Sequence, residues 1–142
     1  MPDVTRSARA ISAFVLATIF VLPSGCGESP LEPGPIEGAL FLIGACEEEF
    51  RALIQDPDVI DQAEALIGAN KQMVILGSLR RGTGGFNSPW SWHLAPDTVE
   101  FADATIELCD GCPSFVEDDL DDWVDTVGTY CPWSTRVLGR LH

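Results

Sequence analysis

His93, four cysteines and a run of carboxylates are the side chains with chemistry to offer beyond residue 26. His93 is the only histidine before the terminal His142, and it stands near Ser91 and Asp97, the residue types of a nucleophile and an orienting acid. On an extended strand, residues two apart share a face, a spacing that does not give a hydroxyl and an imidazole nucleophile–base geometry. A structural, hydrogen-bonding histidine is therefore the simpler expectation. Metal ligation by His93 with Glu107 or Asp110 would require those carboxylates on a neighbouring strand.

The sequence Cys109-Asp110-Gly111-Cys112 has the spacing of a redox dithiol, but not the strand–helix context that activates a thiol. With Cys46 and Cys131 the four cysteines could bind zinc, although zinc ribbons present two such pairs where this chain has one. An even number of cysteines in about a hundred residues favours two structural disulfides in an oxidising compartment, with three connectivities open. The acidic stretch Glu117–Asp125 (EDDLDDWVD) offers the oxygens calcium prefers. It lacks the glycine and glutamate positions of an EF-hand loop, and a solvated helix face accounts for it. Glu47-Glu48-Glu49 is most simply a charged turn.

Arg80-Arg81-Gly82-Thr83-Gly84-Gly85 is not a phosphate loop, because no Lys-Ser/Thr pair follows it. It is expected as the tip of an exposed glycine-rich loop, Arg80–Ser88, where Arg80 and Arg81 could meet a partner. Trp90 and Trp92 suit either the core or a binding surface.

The elements that must position these residues are partly legible. Ala39–Ala45 is a short apolar run consistent with a buried strand. Glu48–Ile54 fits helical and strand spacing equally. Asp56-Pro57-Asp58 opens a helix, and Val59, Ile60, Ala63, Leu66 and Ile67 form its apolar stripe up to Gly68. Gln72–Leu79 reads as a strand. Trp90–Leu94 alternates, with Trp90, Trp92 and Leu94 on one face. Val99–Cys109 is expected to return as a further strand, with a short helix capped by Asp97 and Glu100 as the alternative. Ser114 and Glu117 make a capping box for a second helix, with Val116, Leu120, Trp123, Val124 and Val127 on its apolar side. The tail Tyr130–Leu141 is expected to pack back across the domain. The fold class implied is α+β: a small antiparallel sheet with two helices, stapled by disulfides.

The beginning of the chain has a different character. Arg6 and Arg9 precede Ala10–Leu22 (AISAFVLATIFVL), an uncharged run of signal-peptide length that is too short to span a bilayer. Leu22-Pro23-Ser24-Gly25-Cys26 resembles a lipobox with Pro23 at the position that leucine usually holds. Residues 1–25 are thus expected as a signal peptide, Cys26 as a lipidation site, 26–38 as a Pro/Gly-rich tether and 39–142 as one compact domain. The chain carries 22 acidic and 8 basic residues. Removing residues 1–25 leaves a formal charge of about −15. Such a surface repels nucleic acid and favours basic partners.

Four segments carry a resemblance: Asn87–Leu94 (NSPWSWHL), Ile106–Gly111 (IELCDG), Val116-Glu117 and Cys131–Ser134 (CPWS). They resemble the N-terminal domain of a slime-mould calmodulin-binding protein family, a domain also found in exported bacterial proteins. Glu49-Phe50-Arg51 and the Asp56-Pro57 helix fit the same pattern, so the resemblance covers nearly all of Ala39–Leu141. It implies a Cys109–Cys131 bridge, leaving Cys46 with Cys112, and a strand for Glu48–Ile54. Calmodulin binding belongs to the larger protein, and this acidic chain lacks the basic amphipathic helix of calmodulin targets.

The function expected from the sequence is that of an exported bacterial envelope protein, anchored through lipid on Cys26, with a non-enzymatic binding domain. No cofactor is expected, and the partner is a protein or peptide, preferably basic. The candidate binding residues are Trp90, Trp92, His93, Glu107, Asp110, Arg80 and Arg81. The alternatives are a secreted protein, a hydrolase-type enzyme using His93 with nearby carboxylates, and a calcium-stabilised structural domain.

Overall fold

In Ala39–Ala45, Ala39, Phe41, Ile43 and Ala45 are buried and the residues between them are not, the alternation of a strand with one face on a core. This is β1 of a computed structural model that describes residues 37–69 and 71–141. The expected signal peptide, Cys26 and the tether up to residue 36 lie outside the described residues. Gly38 leads into β1 at φ 128°, where a Cβ would stand 2.4 Å from the Ile54 carbonyl oxygen, so only glycine lets the chain enter here.

β1 pairs antiparallel with β2 (Glu48–Ile54), and Ala45 opposite Glu48 leaves Cys46 and Glu47 as a two-residue turn. Both turn residues have positive φ, 54° and 66°, the handedness that matches strand twist but that side chains resist. The segment that periodicity left ambiguous is thus a strand, burying Phe50, Ala52 and Ile54. Leu53 is also buried. The other edge of β1 pairs with β7 (Arg136–Arg140), so the first sheet has the order β2-β1-β7.

Helix α1 (Pro57–Leu66) begins as its residues dictate. The Asp56 carboxylate accepts from the N–H groups of Asp58 at 2.8 Å and Val59 at 3.3 Å, and Pro57 fills the first turn. Ala63 and Leu66 are buried, with Val59 and Ile60 packed against the core. Ile67, expected in the same stripe, is exposed, because the chain is already extended there.

The second sheet is built on β3 (Val74–Arg81). Along its length it pairs antiparallel with β5 (Glu100–Ala102), β6 (Thr129–Tyr130) and β4 (Trp92–Leu94). The α+β class is as expected, with its antiparallel strands divided between two sheets. β3 starts two residues later than expected and continues through Arg80 and Arg81. Both arginines belong to a strand rather than to the glycine-rich loop, because their backbones pair with His93 and Trp92.

Two further expectations are corrected. Val99–Cys109 is strand only over Glu100–Ala102; the chain then leaves the sheet and closes a 3₁₀ turn at Glu107–Cys109. The cause lies across the molecule: Cys109 is bridged to Cys131 and its carbonyl accepts from the Cys131 N–H at 2.8 Å. The second helix is broken into α2 (Pro113–Asp118) and α3 (Leu120–Asp122), the latter running into a π turn at Trp123–Val127. Asp119, with φ −135° and ψ 54°, makes the break. No capping box forms, since Pro113 occupies the first turn and Cys112 the cap position. The apolar side is as expected: Val116 is buried, and Leu120, Trp123 and Val124 pack on the core.

Residues from both sheets, α1 and α2 share one core. At its centre the rings of Phe50, Trp92 and Tyr130 meet with centroids 5.2–5.7 Å apart, a geometry that adds to their burial. Two disulfides close the domain, Cys46–Cys112 and Cys109–Cys131, with Cα–Cα distances of 5.5 and 5.1 Å.

Candidate functional site

Alternation along β3 sends Ile75 and Leu79 into the main core and Val74 and Leu76 to the opposite face. That opposite face has only a small cover: Cys109, Cys131 and Val127 pack on it. The segment between β5 and α2 then lays Ile106 and Leu108 beside it, with 67% and 69% of their surfaces still exposed. Leu76, Ile106, Leu108 and Val127, with Thr105 and Thr129, line an open apolar groove of about 330 Å³. None of its lining residues is charged. The segment that forms it carries Asp103, Glu107 and Asp110, all exposed. The groove is therefore apolar with an acidic margin.

The loop that joins β3 to β4 is fixed by its polar and aromatic residues. Asn87 is wholly buried; its Oδ1 accepts from the Arg51 N–H at 2.7 Å and its Nδ2 donates to the Trp92 carbonyl at 2.8 Å. The Arg51 guanidinium donates to the Ser88 carbonyl. Trp90 is half-buried and its indole N–H donates to the Glu49 carbonyl at 2.8 Å. The Ser91 N–H donates to the Glu117 carboxylate at 2.8 Å. His93 Nδ1 stands 2.7 Å from the Gly82 carbonyl, which makes Nδ1 the protonated nitrogen of a neutral ring. Phe86 meets that ring edge-on. Gly84, at φ 61°, approaches so closely that a Cβ there would lie 2.9 Å from the imidazole. The residues of NSPWSWHL thus serve to lock one hairpin onto β2 and α2.

Comparison with protein-family models matches residues 37–142 to the N-terminal domain of the calmodulin-binding protein family. The chain belongs to this family. Comparisons with curated proteins and with solved structures returned no match.

In this member of the family the residues singled out for chemistry are dispersed. Trp92 is buried at the core, its indole N–H without a hydrogen-bond partner, and presents nothing to a ligand. The strand neighbour of His93 is Arg80, not a carboxylate. Glu107 lies in the 3₁₀ turn, and the Asp110 carboxylate accepts from the Trp133 N–H at 2.9 Å, so neither is on a strand beside His93. Arg81 forms ion pairs with Asp121 at 2.7 Å and Asp125 at 2.8 Å, tying β3 to the last helical segment. The hydrogen bond to Asp121 above all raises its pKa further. These pairs take up two carboxylates of the acidic stretch that calcium would have used. Among the described residues no three His, Cys, Asp or Glu side chains are grouped for a metal, and no helix is long and apolar enough to cross a membrane.

The groove residues Leu76, Ile106, Leu108 and Val127 do not stand out as a site in the sequence. Ile106 and Leu108 sit two apart in a stretch that looks like a strand, and that pattern assigns them to a core. Asn87 and Arg51 carry no signal beyond membership in the family motif.

Proposed function

We propose that this is an exported, lipid-anchored bacterial envelope protein whose folded domain, of the calmodulin-binding protein N-terminal family, is a non-enzymatic binding module. Its partner is a basic, amphipathic segment of another protein, seated in the groove between Leu76, Ile106, Leu108 and Val127. The observation that carries this reading is the exposure of Ile106 and Leu108 above an uncharged groove with acidic neighbours. Covering the exposed parts of these two side chains would contribute about 3 kcal/mol. The surrounding carboxylates, on a chain with 22 acidic and 8 basic residues, select a cationic partner and speed its encounter. Export and anchoring are supported by the basic residues, apolar run and Cys26 of the first 26 residues.

Calorimetric titration with two synthetic amphipathic peptides, one of Leu and Lys and one of Leu and Glu, tests the binding site. The Lys peptide is expected to bind with a Kd on the order of micromolar and the Glu peptide not to bind. The double variant Ile106→Ser/Leu108→Ser should weaken the Lys peptide at least about tenfold. Equal binding to the double variant would show that the groove is not the site. The anchor has its own test: labelling with a fatty-acid analogue in the native host should be lost in Cys26→Ser.

A further inference from the structure

The two disulfides stand in opposite environments. Cys109 and Cys131 are 5% and 0% exposed, packed with Val74 under Leu76 and Val127. Cys46 is exposed and Cys112 half-buried. Cys46 also lines an open groove of about 520 Å³, together with Glu47, Glu48, Glu49, Arg136 and Leu138. Its backbone, like that of Glu47, is held at positive φ, which costs a residue with a side chain about 1–2 kcal/mol. Accessibility and release of backbone strain both favour attack on this bridge, and exposed bridges are the exchangeable ones in general.

We propose that Cys46–Cys112 is a thiol-exchange site, opened by neutral or cationic small thiols while Cys109–Cys131 stays closed. A thiolate attacks Cys46 Sγ, forming a mixed disulfide; the Cys46–Cys112 bond breaks and its electron pair leaves on Cys112 Sγ, which takes up a proton. A second thiol attacks the sulfur of the first, and Cys46 departs as a thiolate and is protonated. Two small thiols are oxidised to one disulfide, and one protein disulfide is reduced to two thiols. The preference for charge follows from the groove, where three glutamates oppose an anionic thiol and Arg136 alone favours it. The outcome is release of the β1–β2 turn from the start of α2, leaving the hydrogen bond from the Ser114 N–H to Glu48 as the remaining polar link there.

The test is timed reduction of the oxidised full chain under native conditions, followed by alkylation and mapping of each cysteine by peptide mass. Cys26 is read on its own peptide. Cys46 and Cys112 are expected to be labelled together, and at least about tenfold faster than Cys109 and Cys131, whose attack requires opening of the core. Cysteamine, a cation, should outpace mercaptoethanesulfonate, an anion, by at least about threefold beyond their ratio on a neutral small disulfide. That excess should shrink in about 1 M salt, where the screening length is near 3 Å. It should also shrink in Glu47→Gln/Glu49→Gln. Simultaneous labelling of all four cysteines, or earlier labelling of Cys109 and Cys131, would overturn the proposal. Equal rates for the two thiols at low salt would overturn its charge preference.

Discussion

Tyr130 is the only tyrosine of the chain and lies fully buried against Phe50, Trp92 and Trp123. Its hydroxyl donates to the Gly111 carbonyl at 3.0 Å, which links β6 to the stretch between the two bridges. Burial deprives a phenolate of hydration, and Glu48 and Asp110 add unfavourable negative charge, so the phenol pKa stands well above its ordinary value near 10. In the unfolded chain the proton leaves near pH 10, whereas the folded chain retains it. The resulting stabilisation is complete below pH 10 and is lost as pH rises above it, because the unfolded state then binds fewer protons. Phenolate absorbance is accordingly expected to appear only together with loss of the near-ultraviolet dichroism, in one cooperative alkaline transition. A phenolate titrating near pH 10 in a still-folded chain would contradict the burial of Tyr130. Tyr130→Phe should abolish this contribution to alkaline sensitivity while lowering stability at neutral pH by about 1 kcal/mol, from the unpaired Gly111 carbonyl.

At the scale of elements, the locally coded parts of the fold were legible and the remotely tied parts were not. β1 shows its alternation and α1 its cap, its proline and its stripe within a dozen residues. The assignment of β2 as a strand came only through family resemblance. Ser114 and Glu117 have the right types and spacing for a capping box, yet the Ser114 N–H donates to Glu48 and the Glu117 carboxylate accepts from Ser91. Those partners lie 66 and 26 positions away, beyond the reach of any local pattern. Arg80 and Arg81 look like loop residues until β4 is placed beside them. The apolar groove was hidden for the same reason, since the pull of Cys131 on Cys109 is what takes Ile106 and Leu108 off the sheet. The β3–β4 hairpin shows how much one remote contact can hold. Asn87→Ala removes the partner of the Arg51 N–H and of the Trp92 carbonyl and leaves a cavity beside them. Its expected cost is about 3 kcal/mol by denaturant unfolding. Asn87→Asp keeps the acceptor for Arg51 and loses the donor to Trp92, so isosteric shape alone should not rescue it. A loss below about 1 kcal/mol for Asn87→Ala would mean that the hairpin is held by its aromatic contacts instead.

The charge of the whole molecule acts on stability and on binding in opposite directions. Ion pairs join Lys71 to Asp103, Arg81 to Asp121 and Asp125, and Arg140 to Glu64. All are exposed, so each contributes at most about 1 kcal/mol, and salt weakens them. Against them stand the many carboxylates that a chain with 22 acidic and 8 basic residues leaves without a cation. Their mutual repulsion is strongest when the chain is compact, so screening it stabilises the folded state. The surplus of carboxylates outweighs the few pairs, and Tm should rise by several degrees between about 0.01 M and about 0.3 M sodium chloride. The attraction for a basic peptide at the Ile106–Leu108 groove responds to the same screening with the reverse sign. Over that range the Leu/Lys peptide should lose affinity by about tenfold while the domain that binds it becomes more stable. Affinity indifferent to salt would make the groove a purely apolar site and remove the acidic margin from recognition. A fall in both Tm and affinity would instead show that the exposed ion pairs, Arg81 with Asp121 and Asp125 above all, hold the domain together more strongly than the surplus charge loosens it.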